Sequence, residues 1–381
     1  MKYLDSKYEL CEELVNRLKD KFPYVWLLGK HIEGDLVKVS TFNVSISDTR
    51  EKQYGFVVKI YENGCYREYS FGDISQDNID FLESDILNSV KVSDKLLENH
   101  VKVEMLNDEK MEKEFSREFE GKDYSLEEIV RVLNAYKDEM HQMDARVINA
   151  GVNLERYMVS SFFISKNKKL KQHYPWSTVV AYAVVRENDN FKSARRLTCG
   201  INVEDNILRL KDELKPTVDL ALELLDATMI EPGEYDIITS PSITGLIAHE
   251  AFGHGVEMDM FVKHRAKSRH YINKPVASPL VNMHDGASAY NSVASYFFDD
   301  DGILAHDTLI IKDGILLRGI SDATSAMELG SEPTGNGRRQ DPSRKAYTRM
   351  TNTFFSKGSD KLEDMIASVK HGYMLFETNN G

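Results

Sequence analysis

The stretch IAHEAFGHG contains two histidines and a glutamate whose types suit metal-dependent hydrolysis. Neutral imidazoles are good zinc ligands, and zinc lowers the pKa of a water molecule towards neutrality. A glutamate beside a ligand can act as the general base that accepts the proton of that water. We therefore expect His249 and His254 to bind zinc and Glu250 to be the catalytic base of a peptidase.

The spacing of the two histidines is unusual, because they lie five positions apart and HExxH zinc peptidases place them four apart. On a regular α-helix, side chains at i and i+5 point about 140° apart, because each residue turns about 100°. One additional residue in a π-type turn brings both onto one face, and Gly253 and Gly255 make such a distortion cheap. Alternatively, His249 and His254 are hydrogen-bonded core residues at a glycine-rich helix end, with Glu250 paired to an arginine.

Two histidines do not complete a catalytic zinc site, which takes three protein ligands and keeps one position open. Glu257 and Asp259 follow closely in the chain and are candidates. Each could be an oxygen ligand, or could instead orient a histidine through a hydrogen bond.

Composition excludes some classes of function. The formal net charge of −13 opposes binding to nucleic acid, whose phosphates require lysine and arginine. The chain contains no apolar run of about 18 residues, the length that a membrane-spanning helix requires, and its start has no apolar signal region. We therefore expect a cytoplasmic protein that binds neither nucleic acid nor membranes.

Hydrophobic periodicity indicates the elements before the chemical motif. Apolar residues at helical spacing predict a helix over 4–22, and the period then changes to that of antiparallel strands. Turns are expected at Glu33-Gly34 and Asn63-Gly64, and Ser125 with Glu128 forms a capping box for a helix. The charged stretch 106–124 is interpreted as a linker or a solvated helix.

The later elements surround the motif. Strands are expected over 147–165 and 177–187, and a helix over 203–228. The apolar strand YDIITS, 235–240, leads directly to the helix of the motif, and a later hairpin is expected to turn at Asp313-Gly314.

The fold class is thus predicted to be α+β. Residues 1–120 would form an N-terminal domain of antiparallel sheet with helices. Residues 121–381 would form a larger, mixed, β-rich domain that carries the HExxxH helix.

Four stretches together resemble the TldD side of the TldD/TldE (PmbA) family of zinc metallopeptidases, known as modulators of DNA gyrase: HEAFGHGVEMD, FFDDDGI, TGNGRR and RMTNT. The resemblance implies that His249 and His254 bind the metal and that Glu250 is the catalytic residue. It also implies proteolysis of unfolded or leader peptides in a dimer, either a homodimer or a heterodimer with a TldE-like chain.

The resemblance also implies a third zinc ligand, a cysteine in a glycine-rich segment near the C terminus of family members. This sequence has no cysteine after Cys199, and the family continues for several tens of residues more. We therefore expect that the chain lacks that segment or that its metal site is incomplete.

Arg338, Arg339 and Arg349 lie in two of the matching stretches and admit two interpretations. They could bind a substrate carbonyl or a developing oxyanion. They could instead be loop cations that balance the acidic turn Asp299 to Asp301, and the sequence favours this structural role.

Three functions remain open after these observations. The first is a zinc-dependent peptidase, and the second is a non-catalytic peptide-binding or assembly subunit with an incomplete metal site. The third, a regulator that contacts DNA gyrase, rests on the family's historical label alone.

Overall fold

The structure, a computed structural model, describes residues 2–91, 102–117 and 121–377. Helices α1 to α8 span, in chain order, Lys2–Leu18, Ile79–Ser89, Leu126–Gln142, Val203–Glu223, Pro241–Ile247, Met258–Val262, Ala323–Glu328 and Leu362–Ser368. Strands β1 to β16 span Tyr24–Ser40, Val44–Asp48, Gln53–Glu62, Cys65–Phe71, Met111–Ser116, Val147–Ser165, Lys168–Glu187, Asn190–Gly200, Asp236–Thr239, Met283–Asp285, Thr308–Lys312, Ile315–Leu316, Gly337–Arg338, Tyr347–Thr348, Thr353–Phe355 and Gly372–Leu375.

A single eight-stranded sheet dominates the first 200 residues. Its main path runs β4-β3-β1-β6-β7-β5, with β2 added to β1 and β8 added to β7. All pairs are antiparallel except β5 with β7. The predicted α+β class is confirmed, since antiparallel sheets and separate helices account for the architecture.

Strand β1 is buried on both faces of this sheet over much of its length, and its successive side chains point to opposite sides. On β1, Val25 and Leu27 pack with α1 and α2. Trp26 and Leu28 point the other way and pack against Phe298 of the C-terminal region. The second half of the sheet is covered by α3 and α4. The sheet therefore serves as a platform for the part of the chain that carries the histidines.

The predicted domain boundary near residue 120 lies inside this sheet. Strand β1 pairs with β6 from Trp26↔Ser165 to Ser40↔Gly151, so strands from both sides of the boundary share one ladder. The linker after α4, 226–235, carries no helix or strand. We propose that the division between the two parts of the chain lies there.

The expected turns were only partly correct. Asn63 and Gly64 have φ of 53° and 81° and join β3 to β4, and Asp313 and Gly314, with φ of 49° and 78°, join β11 to β12. Glu33-Gly34 is not a turn, since β1 runs through it. Gly34 is needed there because a Cβ would lie 2.1 Å from the carbonyl oxygen of Arg156 on β6.

The charged stretch 106–124 was also predicted incorrectly. Its residues Met111–Ser116 form β5, which pairs in parallel with β7 at the edge of the sheet. Strand β5 exposes the consecutive charged residues Glu112, Lys113 and Glu114 and partly buries Met111 and Phe115. Phe115 stacks on Phe297 at a centroid distance of 5.0 Å. The composition of β5 hid the strand because an edge strand keeps charged side chains in water.

The C-terminal region is built from short elements. Strands β10, β11, β12 and β15 form a small antiparallel sheet, and β9 pairs in parallel with β16. A separate cluster, which includes Ala248, Val256, Ile310 and Met350, packs the segment of the motif against the small sheet. Within the described ranges, no helix has the length and hydrophobicity needed to cross a bilayer.

Candidate metal centre

The segment that carries the motif is fixed at its start by a helix cap. Ser240 follows β9, and its hydroxyl oxygen accepts a hydrogen bond from the backbone N–H of Ile243. Pro241 occupies the first helical position, where its missing N–H costs nothing. Strand β9 thus leads directly into α5, as the sequence predicted.

Helix α5 continues into a π-helix over Ala248–Gly253. The backbone N–H of His254 donates to the carbonyl oxygen of His249, which is the i to i+5 hydrogen bond of a π-turn. The two imidazole rings consequently lie on one side of the segment, with centroids 4.9 Å apart and an interplanar angle of 78°. The π-type distortion inferred from the spacing is confirmed.

The role of Gly253 differs from the one expected. Its φ of −56° is ordinary for a helix, so the residue is not needed for a special dihedral angle. A Cβ at this position would instead lie 2.1 Å from the sulfur of Met350 and 3.0 Å from the carbonyl oxygen of Ala248. Gly253 therefore permits close packing of the π-helix against the segment of Met350.

Three ligand atoms converge at this segment. One atom each from His249, Glu250 and His254 lies within 4.8 Å of the others, the one such group of metal-ligating side chains found within residues 2–91, 102–117 and 121–377. Their side chains are 45%, 47% and 52% exposed. Neither histidine is thus a buried core residue, and both are accessible to a substrate.

The donor set fits a zinc ion. Two nitrogens on one zinc are at most about 4 Å apart, because each bond is about 2.0–2.1 Å long. The observed limit of 4.8 Å is longer, so the side chains would have to move closer together by several tenths of an ångström to hold one ion. Imidazole nitrogen and carboxylate oxygen are both common zinc ligands, so the chemistry of the donors fits this metal.

Glu257 contacts one histidine of this group through a buried carboxylate. Its carboxylate is 5% exposed and lies with Oε2 3.4 Å from Nδ1 of His254. Burial raises the pKa of Glu257 above its ordinary value, while His254 and Arg349 act in the opposite direction. A contact through Nδ1 leaves Nε2 of His254 for a metal, which is the arrangement of a carboxylate that orients a metal-binding histidine.

Asp259, the other acidic candidate, has a different partner. Its Oδ2 lies 2.8 Å from Nζ of Lys263. Glu257 and Asp259 were equivalent in the sequence, and only the fold assigns Glu257 to His254.

The three arginines line one cavity of about 800 Å³ between the large sheet and the C-terminal region, but they differ in their partners. Arg339 is buried and its guanidinium is engaged with Glu68 at 2.7 and 2.8 Å, so it has a structural role. Its partner is not the acidic turn, although its backbone N–H donates to Asp300. Arg338 and Arg349, unlike Arg339, have no ion pair with a described carboxylate within 4.0 Å.

The acidic turn itself is buried and paired with two lysines that sequence reasoning missed. Lys30 lies 3.1 Å from Asp300 and Lys59 lies 3.2 Å from Asp301. Burial raises the pKa of the Asp299 carboxyl well above its ordinary value, and the charge of Asp301 acts in the same direction. Lysines within otherwise apolar strands were the available signal, because a buried ammonium requires a partner.

Comparison with known proteins places this geometry in a family context. Residues 232–381 match the PmbA/TldA metallopeptidase C-terminal domain. A protein of Methanocaldococcus jannaschii named a metalloprotease is 30% identical over 58% of this chain and 49% of its own length. A metalloprotease TldD homolog of Haemophilus influenzae is 35% identical over 45% of this chain and 35% of its own length. A zinc metalloprotease TldD homolog of Saccharolobus solfataricus is 23% identical over 68% of this chain and 60% of its own length.

Solved structures share the fold of nearly the whole chain. A candidate modulator of a DNA gyrase from Thermotoga maritima superposes with a TM-score of 0.79 at 17% identity, covering 98% of this chain and 83% of that one. TldE from Thermococcus kodakarensis gives a TM-score of 0.71 at 14% identity, with coverage of 98% and 83%. The aligned chain spans about a third to a half of the first curated relatives. The expected resemblance to the TldD/PmbA family is confirmed.

Proposed function

On the premise that residues 232–381 form a PmbA/TldA metallopeptidase C-terminal domain, we propose that this chain is a zinc-dependent peptidase acting on unfolded or leader peptides. The observation that carries the proposal is the convergence of His249, Glu250 and His254 within 4.8 Å on an exposed surface. A surface position suits a peptide substrate, because an extended chain needs access from the side.

In this proposal, His249 and His254 hold the metal and Glu257 fixes the ring of His254. When bound, zinc supplies Lewis acidity towards water and the peptide carbonyl. Glu250 accepts the proton of the attacking water on a carboxylate oxygen and delivers it to the departing amine nitrogen. Its position beside His249, with Oε1 3.9 Å from Nε2, keeps that oxygen next to the place where the water is activated.

The substitution Glu250→Gln tests this assignment. The amide keeps the size of the side chain but cannot accept the proton, so zinc binding is retained and cleavage of casein falls by about 10²–10⁴-fold. Asp259→Asn is a matched control, because it removes a nearby carboxylate that lies outside the group. Loss of zinc from Glu250→Gln would show instead that Glu250 is a ligand, and unchanged cleavage would refute its role as the base.

A second candidate, a non-catalytic peptide-binding or assembly subunit, has one specific observation in its favour. Within the described residues, the group contains two histidines and the glutamate that the first proposal reserves as base. A catalytic zinc site takes three protein ligands. Metal-free protein that binds peptide without cleaving it would support this second function.

The likeness to TldE suggests how the chain assembles. We propose a dimer, either of two copies or with a TldE-like chain. Sedimentation of the purified chain, alone and with such a partner, distinguishes the two. The cytoplasmic location stays a prediction.

A further inference from the structure

The cavity of about 800 Å³ between the large sheet and the C-terminal region has an excess of positive charge. Its lining cations are Lys30, Arg338, Arg339, Arg344, Lys345 and Arg349. Its lining carboxylates are those of Glu51, Asp299 and Asp300. The side chains alone therefore give six cations against three acids.

The buried acids of the cavity are already satisfied within the protein. Asp300 lies 3.1 Å from Lys30 and accepts the backbone N–H of Arg339 at 2.8 Å. Asp299 accepts three backbone N–H groups, those of Asp301, Ile303 and Gly337. The third lining acid, Glu51, is exposed, and its negative charge offsets part of the positive charge of the cations.

Four of the six cations, by contrast, lack an acidic partner among the described residues. The ion pairs within 4.0 Å include Lys30 and Arg339 but none of Arg338, Arg344, Lys345 and Arg349. Arg338 donates from Nη2 to the carbonyl oxygen of Met350 at 2.7 Å, and its buried Nε has no partner. Lys345 and Arg349 lie 5.9 and 5.8 Å from the ring centroid of Tyr347. None of these cations has a described carboxylate oxygen within 4.0 Å, although the charge of Arg349 acts on the carboxyl of Glu257.

The cavity lies next to the metal centre. Tyr347, on its wall, is also approached by Lys263, whose Nζ lies 5.0 Å from the ring centroid. Lys263 follows α6, which begins directly after Glu257, the residue that contacts His254. Arg349 is near enough to Glu257 to influence its carboxyl. Tyr347 and Arg349 thus connect the wall of the cavity with the segment that follows the two histidines.

We propose that this cavity binds a carboxylate of the peptide, so that the site favours acidic peptides; the proposal rests on the proposed function of the two histidines. The carboxylate can belong to an aspartate or glutamate side chain or to the C terminus of the peptide. Arginine and lysine recognise both through the same charge-assisted hydrogen bonds. The net charge of −13 makes this local excess of cations more selective, since the rest of the surface repels acidic peptides.

Binding of fluorescein-labelled peptides to the Glu250→Gln protein tests the proposal without requiring turnover. Three peptides are compared by fluorescence anisotropy: one with glutamates and an amidated C terminus, one with glutamines and an amidated C terminus, and one with glutamines and a free C terminus. We expect one or both of the carboxylate peptides to bind about tenfold more tightly than the neutral one, a preference that falls with salt. The arm that binds more tightly identifies the source of the carboxylate.

The double variant Lys345→Gln/Arg349→Gln should abolish that preference. Both residues are exposed, so folding is preserved, which thermal unfolding verifies. Lys166→Gln/Lys312→Gln removes two exposed cations outside the cavity and should leave the preference intact. Equal affinity for all three peptides, or a preference that survives the first double variant, overturns the proposal. Neither outcome depends on cleavage, so failure of the peptidase assignment is seen separately, as casein cleavage unaffected by Glu250→Gln.

Discussion

Glu257 carries a buried carboxylate beside a histidine that is half exposed. The substitution Glu257→Gln removes this charge, so the ring of His254 loses the anion that orients it. Zinc affinity should fall by about 10-fold, the lower end of the 10–100-fold range for carboxylates that contact a metal-binding histidine. Zinc titration calorimetry of the full chain measures the change.

The neighbouring acid provides the control for this prediction. Asp259→Asn also removes one negative charge close to the site, but its partner is Lys263 and not a histidine. Zinc affinity should stay within about twofold of the wild type. Equal weakening by both variants would mean that local charge alone, and not the contact with His254, supports the metal.

Residue types and spacing selected His249, Glu250 and His254 as candidates, and the fold brings one atom of each within 4.8 Å of the others. Residue types and spacing were not sufficient to separate Glu257 from Asp259, because that choice depends on which carboxylate the fold brings next to His254. The fate of Arg339 was equally hidden, since its partner Glu68 lies 271 positions away in the chain.

At the scale of elements, the π-helix determines whether the two imidazoles meet. Gly253→Ala should destabilise this segment by about 1–3 kcal/mol, because the new Cβ overlaps the sulfur of Met350. Zinc affinity should fall with it, since the i to i+5 hydrogen bond would be strained. Denaturant unfolding and zinc titration measure the two effects.

A second substitution distinguishes steric overlap from loss of backbone freedom. Met350→Ala removes the overlapping sulfur, so Gly253→Ala should cost less in that background. Gly255→Ala is the matched control, because its Cβ would meet nothing closer than 3.9 Å. No rescue by Met350→Ala would contradict the packing role of Gly253.

Local rules predicted elements well where the residues themselves determine the conformation. Asn63-Gly64 turns because both residues accept positive φ, and Ser125 with Glu128 forms the reciprocal hydrogen bonds of a capping box. The same rules failed at Gly34, where a glycine is required because the backbone of β6 passes too close for a Cβ. Contacts between strands that are distant in sequence cannot be predicted from the pattern of a few neighbouring residues.

At the scale of the whole molecule, buried ion pairs join the large sheet to the C-terminal region. Lys59 on β3 is 3% exposed and lies between Asp301 and Glu68 at 3.2 and 3.3 Å. Asp301→Asn should destabilise the protein by about 3–5 kcal/mol, because it leaves a buried ammonium short of a counterion. Denaturant unfolding measures the change.

An exposed pair offers the comparison. Asp48 and Lys52 are 67% and 53% exposed, so Asp48→Asn should change the free energy of unfolding by less than about 1 kcal/mol. Similar losses from Asp301→Asn and Asp48→Asn would show that burial of the network does not matter for stability.

The same network predicts a pH dependence. Burial alone would raise the pKa of Glu68, but Arg339 and Lys59 lower it from 4.5 to about 2. Because the folded pKa is the lower one, the contribution of Glu68 to stability is complete above pH 4.5 and is lost as the pH falls towards 2. The difference in unfolding free energy between wild type and Glu68→Gln should therefore narrow on acidification. A difference that stays constant with pH would contradict the assignment.

The α+β class could be predicted from the hydrophobic periodicity of the sequence, whereas the position of the division between the large sheet and the C-terminal region could not. The division expected near residue 120 ignored the pairing of β1 with β6, which are separated by more than a hundred residues. Contacts of this kind are made by the folded molecule and are not encoded in any one segment.

The central claim is that His249 and His254 share one metal ion. Zinc titration of the full chain, wild type against His249→Ala and His254→Ala, tests it most directly. We expect about one zinc per chain in the wild type and a loss of affinity of at least about 100-fold in each variant, because each imidazole supplies one of the few ligands. Zinc binding that is unchanged in either variant would contradict a shared site.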